Sequence, residues 1–179
     1  MNWLLREVTV PRPLHYLHGT SALVLELCLN YGLVVVTGLT LFFMSQELML
    51  PPVKRMLLIA LAMDLAGGVI SNFTTGTSQF YWQCAKRRSL FICLHVMQPL
   101  LLIWIFPQNI ESICVLALYT LLAAVCVNRI TDHAAQKVVA VSLVTMGFLL
   151  LHFWSLPQLL YLAMTLFQIK LILSFAVKW

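Results

Sequence analysis

The chain has 179 residues, of which 61% are hydrophobic and 9% are charged, and its formal net charge is +5. As a soluble domain, such a chain would expose far too much apolar surface, so the composition predicts a polytopic membrane protein. The length allows about six spans of ~20 residues and leaves no room for a separate soluble domain. The cations lie near the predicted span ends, which favours the lipid bilayer and its anionic headgroups as partners and excludes nucleic acid.

The apolar runs predict one all-α transmembrane domain over residues 1–179, a polytopic helix bundle of six spans joined by short connections. The predicted spans cover about 14–44, 54–73, 89–106, 110–128, 138–154 and 158–178. Eight lysines and arginines fall on the side of the N-terminus and two on the other, so we expect both termini to be cytoplasmic. The short loops favour a plasma membrane, with the bacterial inner membrane as the expected location, although an organelle membrane would give a similar pattern.

The first span carries polar or small residues at steps of three and four, which places them on one helix face. Glu26 and Asn30 lie on this face, together with His15, Gly19 and Ala22. A carboxylate inside a span is costly in lipid, so Glu26 is expected to face the interior of the bundle.

The second span holds the clearest stripe of this kind, with Asp64, Ser71 and Asn72 spaced at helical intervals along an otherwise apolar run. Two glycines, Gly67 and Gly68, lie on the same stripe. An ionisable group in hydrocarbon costs roughly 2.5–3.5 kcal/mol on insertion scales, so Asp64 must face protein or a water-filled cavity. We therefore expect this helix to form the wall of an intramembrane site.

The segment Phe73–Arg88 is expected to be the longest loop, and its aromatic and basic residues are typical of an anchor at the membrane interface. A second interpretation is that hydroxyls and cations of this loop hold a phosphate or another anionic headgroup. The candidates are Thr75, Thr77, Lys86, Arg87 and Arg88. No phosphate-binding motif with defined spacing supports that interpretation.

The third span contains His95 and Gln98 on one face, followed by Pro99, which cannot donate a backbone hydrogen bond to the carbonyl of His95. We expect a kink there, with this helix also facing the interior. In the sixth span, Lys170 either extends its ammonium to the interface or pairs with Glu26 or Asp64, and the sequence does not decide between these outcomes.

These polar groups come from four spans and lie at similar depth, which predicts one cavity open to the cytoplasmic leaflet. The candidate ligand-binding residues are Glu26, Asn30, Asp64, Ser71, Asn72, His95, Gln98 and Lys170. Such a cavity favours binding or transport of a small solute, a proton or a lipid headgroup. The alternatives are an intramembrane enzyme acting on a lipid or isoprenoid and a structural subunit of a larger membrane assembly.

The sequence identifies no cofactor. A metal site could draw on His18, Glu26, Asp64 and His95, but these residues come from separate helices without a local motif. Haem would need two facing imidazoles, for which His18 and His95 are the available pair. The five cysteines contain no C-x-x-C pair, which argues against disulfide or zinc chemistry.

Overall fold

The computed structural model describes residues 3–179. Six helical segments are long and apolar enough to cross a membrane. They are Val24–Glu47, Pro52–Phe73, Ala85–Ile105, Pro107–Arg129, His133–Leu151 and Gln158–Phe175. The protein is therefore a multi-pass membrane helix bundle, as the sequence predicts. The cytoplasmic location of the two termini stays a prediction.

The chain runs through two short strands and nine α-helices in the described residues, and it finishes in a π-helical segment. In order they are β1 Glu7–Thr9, α1 His15–His18, β2 Ser21–Leu23, α2 Val24–Met44, α3 Pro52–Phe73, α4 Thr75–Trp82, α5 Ala85–Leu94, α6 Met97–Ile105, α7 Ile110–Arg129, α8 His133–Leu151, α9 Gln158–Gln168 and the π-helical segment Ile169–Phe175. Three 3-10 turns, Arg12–Leu14, Ser45–Glu47 and Pro107–Asn109, connect some of these elements.

The last span forms the centre of the bundle. Together, α9 and the π-helical segment pack against α3, α7 and α8. Leu160, Ala163, Met164, Phe167 and Leu171 are fully buried there. A helix that is buried on most of its surface belongs to the core of the bundle. By contrast, α2 packs mainly on α3 and exposes much of its apolar surface, as a helix in contact with lipid does.

The first span begins later than predicted, at Val24, because the residues before it form a β-hairpin. Strand β1 pairs antiparallel with β2, with Val8 opposite Ala22. The Oε2 atom of Glu26 accepts a hydrogen bond from the backbone N–H of Leu23 at 2.9 Å. This acceptor stabilises the start of α2, where the backbone N–H groups have no helical partner.

The predicted loop 73–88 contains a helix, α4. Thr74 caps it, because its hydroxyl oxygen accepts from the N–H of Thr77 at 3.4 Å. The hairpin packs against the start of α4 through two glycines. A Cβ at Gly19, whose φ is +70°, would lie 2.2 Å from the carbonyl carbon of Gly76, and a Cβ at Gly76 would lie 2.0 Å from the oxygen of Ser21. Only glycine fits this contact.

Two other spans begin four or five residues earlier than predicted. The fifth begins at His133, five residues early, because the Asp132 carboxylate accepts from the N–H of Ala135 at 2.7 Å and caps the helix. The third begins at Ala85 and is interrupted between α5 and α6, where Pro99 lacks a donor for the carbonyl of His95. That carbonyl instead accepts from the N–H of Gln98 at 3.4 Å.

Candidate functional site

A cavity of about 360 Å³, here called the inner cavity, lies between α2, α3, the interrupted third span and the N-terminal hairpin. Its polar wall contains Asn30, Asp64, Ser71, Asn72, His95, Gln98 and Lys170. Its apolar wall contains Leu17, Val34, Met63, Phe91 and Leu94. This volume and mixed lining are typical of sites for small molecules.

The centre of the polar wall is an ion pair between Asp64 and Lys170. The Nζ atom of Lys170 lies 2.8 Å from Oδ2 of Asp64, and the amide nitrogen of Gln98 donates to the same oxygen at 2.6 Å. The lysine side chain is 4% exposed, whereas that of Asp64 is 51% exposed. The structure thus decides the sequence alternatives for Lys170 in favour of pairing with Asp64.

The position of Lys170 depends on a glycine in the facing helix. A Cβ at Gly68 would lie 2.2 Å from Cε of Lys170 and 2.8 Å from its Nζ. The lysine stem therefore crosses α3 directly over this residue. At the preceding residue, the Asn30 amide donates to the carbonyl of Gly67 at 2.7 Å and links α2 to α3. Small residues at such positions allow membrane helices to approach closely.

His95 lies at the break between α5 and α6 and is buried. Its Nδ1 atom lies 2.7 Å from the carbonyl oxygen of Phe91. Since a carbonyl can only accept, Nδ1 carries the hydrogen and Nε2 of the neutral ring carries the lone pair. No group in residues 3–179 bonds to this Nε2 atom. The ring of Phe91 lies 4.1 Å from that of His95 and 3.8 Å from that of Phe175, which fixes its orientation.

Three residues of the cavity wall have a buried polar atom with no partner within the described part of the chain. They are Nδ2 of Asn72, Nε2 of His95 and Oε1 of Gln98. Within residues 3–179 both hydrogen bonds to the Asp64 carboxylate fall on Oδ2, which leaves Oδ1 available. Buried polar groups are normally satisfied, so these atoms are candidates for contact with a ligand or with water. Acceptors outnumber donors in this set.

The N-terminal segment closes one side of the cavity. Tyr16, Leu17 and His18 line it, and the hydroxyl of Tyr81 holds this segment by donating to the carbonyl of Tyr16 at 2.9 Å. Burial raises the pKa of Tyr81 to about 12, so the phenol keeps its proton. The imidazole of His18 is hydrogen-bonded to the hydroxyl of Tyr31 at 3.0 Å, and burial lowers the pKa of His18.

The structure brings seven of the eight candidate ligand-binding residues to this cavity. Glu26 does not line it, since its carboxylate bonds to the backbone at the start of α2. Glu26 and Asp64 share a similar spacing of polar neighbours, but Glu26 is in the first helical turn, where a carboxylate stabilises the free N–H groups. That the other seven residues bind a ligand is still a prediction.

The weak candidates for anion binding are not gathered in one place. Thr75 and Thr77 lie in the first turn of α4, and the hydroxyl of Thr77 donates to the carbonyl of Leu17 at 3.3 Å. The cations Lys86, Arg87 and Arg88 lie beyond the other end of α4, at the start of α5. Arg87 donates to the carbonyl of Phe80 and covers its ring, and Arg88 lies 3.8 Å from the ring of Trp82.

The candidate metal ligands are also separated. Glu26 is used at the start of α2, and His18 and His95 are bonded to Tyr31 and Phe91. Within residues 3–179 no group of three or more histidine, cysteine, aspartate or glutamate side chains is placed to hold a metal ion. The cysteines are free thiols. Within the described residues, the four candidate metal ligands therefore do not form one cluster.

Several residues of the cavity were not expected from the sequence. Phe91 lies one helical turn before His95, so their spacing could have predicted that the two residues share a helix face. Tyr31 directly follows the candidate residue Asn30 in the sequence. Tyr16 and Leu17 had no comparable signal, because their contact with the cavity follows from the hairpin docking on α4. Comparison of the chain with known protein families, characterised proteins and solved structures finds no match.

Proposed function

We propose that the inner cavity binds, within the membrane, the polar head of an amphipathic molecule, and that the protein acts as a binding or transport protein for it. One observation carries the proposal. The carboxylate of Asp64 is half exposed near the middle of α3, at a depth where acyl chains would otherwise surround it. Because an exposed charge is costly there, a polar group must cover it. The apolar wall beside it suits the tail of such a ligand.

The hydrogen-bonding groups of the cavity favour a particular class of head. Asp64 Oδ1, His95 Nε2 and Gln98 Oε1 are acceptors, whereas Asn72 Nδ2 is a donor. The positive charge of Lys170 is already paired with Asp64. A hydroxyl or amine would supply the missing donors, whereas a carboxylate or phosphate would place a second anion beside Asp64.

The test compares three molecules with the same dodecyl chain and different heads: the alcohol, the amine and the carboxylate. Each is added to the protein in phosphatidylcholine nanodiscs, and thermal unfolding and native mass spectrometry measure binding. We expect the alcohol and the amine to raise the melting temperature and to be retained, and the carboxylate to do neither. Equal effects of the alcohol and the carboxylate would contradict the proposal.

Two pairs of variants show whether binding uses the cavity. Leu94→Trp adds bulk at a partly exposed residue of the cavity wall, and Leu90→Trp adds the same bulk one turn away, outside it. Asp64→Asn removes the carboxylate, and Glu111→Gln removes an exposed one at the start of α7. Binding should be lost in the first member of each pair and kept in the second. Loss in neither would indicate that the polar groups serve helix packing alone.

A second candidate function is enzymatic action on the bound lipid, which the free lone pair of His95 favours. An imidazole with its other nitrogen fixed by a backbone carbonyl is suited to accept a proton. Chemical change of a retained alcohol or amine, abolished by His95→Gln while retention persists, would support this function. Unchanged recovery of the ligand after long incubation would count against it.

A further inference from the structure

A second pocket, here called the basic pocket, lies at the end of the bundle near the C-terminus and shares no lining residue with the inner cavity. It has a volume of about 570 Å³ and is formed where α4, α5, α7 and α8 meet the last residues of the chain. Arg88, Arg129 and Lys178 line it, together with Asn128 and His133. Its lining contains no aspartate or glutamate.

Two of the three cations converge on one aromatic ring. The guanidinium carbon of Arg88 lies 3.8 Å from the ring centroid of Trp82, and Nζ of Lys178 lies 5.9 Å from it. The Nε and Nη1 atoms of Arg88 are buried and have no hydrogen-bond partner in residues 3–179. The same holds for Oδ1 of Asn128. A guanidinium normally uses its N–H groups in pairs toward carboxylate or phosphate oxygens.

The walls of this pocket are fixed by a fully buried glutamine, Gln136. Its amide nitrogen donates to the carbonyls of Val127 at 3.1 Å, Ala176 at 3.1 Å and Ile130 at 3.3 Å. Its amide oxygen accepts from the backbone N–H of Lys178 at 3.0 Å. One side chain thus joins the end of α7 to the last residues of the chain. Gln136 therefore fixes the relative positions of the backbone segments that carry Arg129 and Lys178.

Asp132 is the acidic residue nearest in sequence to the pocket-lining residues, and its carboxylate already has a hydrogen-bond partner. The carboxylate of Asp132 accepts from the N–H of Ala135 at 2.7 Å as the cap of α8 and is not part of the lining. Like charges held close together repel one another, and an anion between them removes this cost. The pocket also lies where the spans end, which is the depth of lipid headgroups.

We propose that the basic pocket binds a phosphate group, with the guanidinium of Arg88 as its central donor and Arg129 and Lys178 as flanking cations. The phosphate comes either from the headgroup of an anionic phospholipid or from a free phosphate-bearing solute. This proposal is independent of the function proposed for the inner cavity, because the two sites share no residue and need ligands of opposite hydrogen-bonding character.

The experiment uses the full chain in nanodiscs. In one arm, phosphatidylcholine is mixed with increasing phosphatidylglycerol, and in the other inorganic phosphate is added to pure phosphatidylcholine discs. Thermal unfolding and native mass spectrometry measure stabilisation and retained lipid. Both readouts should respond to phosphatidylglycerol. A response to inorganic phosphate as well identifies the phosphate itself as the ligand, and a response to the lipid alone identifies the headgroup.

Three variants locate the binding. Arg129→Gln and Lys178→Gln should each weaken phosphatidylglycerol binding about fivefold, because each removes one of the cations that line the pocket beside the proposed phosphate. Lys86→Gln is the control, because Lys86 is an exposed cation at the start of α5 that does not line the pocket. These exposed positions are suited to substitution even if Arg88→Gln fails to fold. Equal affinity in wild type, Arg129→Gln and Lys178→Gln, or equal weakening by Lys86→Gln, would overturn the proposal.

Discussion

The two pockets of this protein differ in whether their cationic side chains are paired with a carboxylate of the protein. In the inner cavity, Lys170 is almost fully buried and its charge is balanced by Asp64. In the basic pocket, Arg88, Arg129 and Lys178 line one space without a carboxylate among them. Inside the span an unpaired charge is too costly to keep, whereas near the headgroups an external anion can balance it. We therefore expect depth in the membrane to decide whether the counter-charge comes from the protein or from a ligand.

The largest expected effect comes from removing the internal counter-charge. Asp64→Leu leaves the ammonium of Lys170 buried and unpaired, so we expect a loss of about 3–5 kcal/mol in the free energy of unfolding. Equilibrium unfolding in mixed micelles measures it. The double variant Asp64→Leu with Lys170→Met should recover most of this loss, since neither charge remains. A single variant that is as stable as wild type would show that the pair is not needed to balance charge.

The second prediction concerns the residue that holds the basic pocket together. Gln136→Leu removes the partners of two buried carbonyls and of the Lys178 N–H. We expect a loss of about 1–3 kcal/mol in the free energy of unfolding. Retention of phosphatidylglycerol should fall as well, while alcohol binding in the inner cavity persists. Gln108→Leu, at an exposed position between α6 and α7, is the control. Equal loss of both ligands would mean that the two pockets are not independent.

A smaller effect is expected where Lys170 crosses α3. Gly68→Ala places a Cβ against the lysine stem, so we expect a loss of about 1 kcal/mol, at the low end for overpacking because the stem can move. Gly32→Ala in α2 is the matched control, since nothing lies within 4 Å of its added Cβ. The control should be neutral or stabilised by roughly 0.4–1 kcal/mol. Thermal unfolding of both variants tests this contrast, and equal behaviour would refute it.

The smallest predicted effect is a dependence on pH at the cover of the inner cavity. Burial lowers the pKa of His18 from its ordinary value of 6.5, so the folded protein binds a proton there less readily than the unfolded chain. Stability from this residue therefore falls as the pH drops below 6.5. His18→Gln should reduce the decrease in melting temperature between neutral and acidic pH, and His152→Gln, at an exposed position, should not. An unchanged decrease in His18→Gln would argue against this role.

Most of the membrane spans could be predicted, because the length of an apolar run is enough to identify a span. The start of the first span could not, since the hairpin before it depends on the contact between Gly19 and Gly76, which are far apart in sequence. The helix in the segment after α3 was missed for a related reason. Its hydroxyl-rich start is typical of a loop, but Thr74 and Thr77 use these hydroxyls to begin α4 and to hold the hairpin.

Only some residues of the two pockets could be predicted from the sequence. The stripe on α3 identified Asp64, because a carboxylate in a span must avoid lipid. The same reasoning was wrong for Glu26, because this carboxylate stabilises the start of α2. The spacing of polar residues does not show where a helix begins. The partner of Lys170 was undecided because it depends on how α9 packs against α3. Gln136 gave no signal at all, as its bonds are to backbone atoms of distant segments.

The π-helical segment connects the two pockets through one helix. Lys170 lies at its beginning, and Lys178 follows soon after its end. The wide turn closes with the N–H of Ala176 donating to the carbonyl of Leu171 at 3.1 Å, five residues back. If the same residues adopted regular α-helical winding of 3.6 residues per turn, the chain after this segment would be rotated relative to Lys170. The winding of the segment, and not only the identity of the two lysines, therefore sets the directions in which they point.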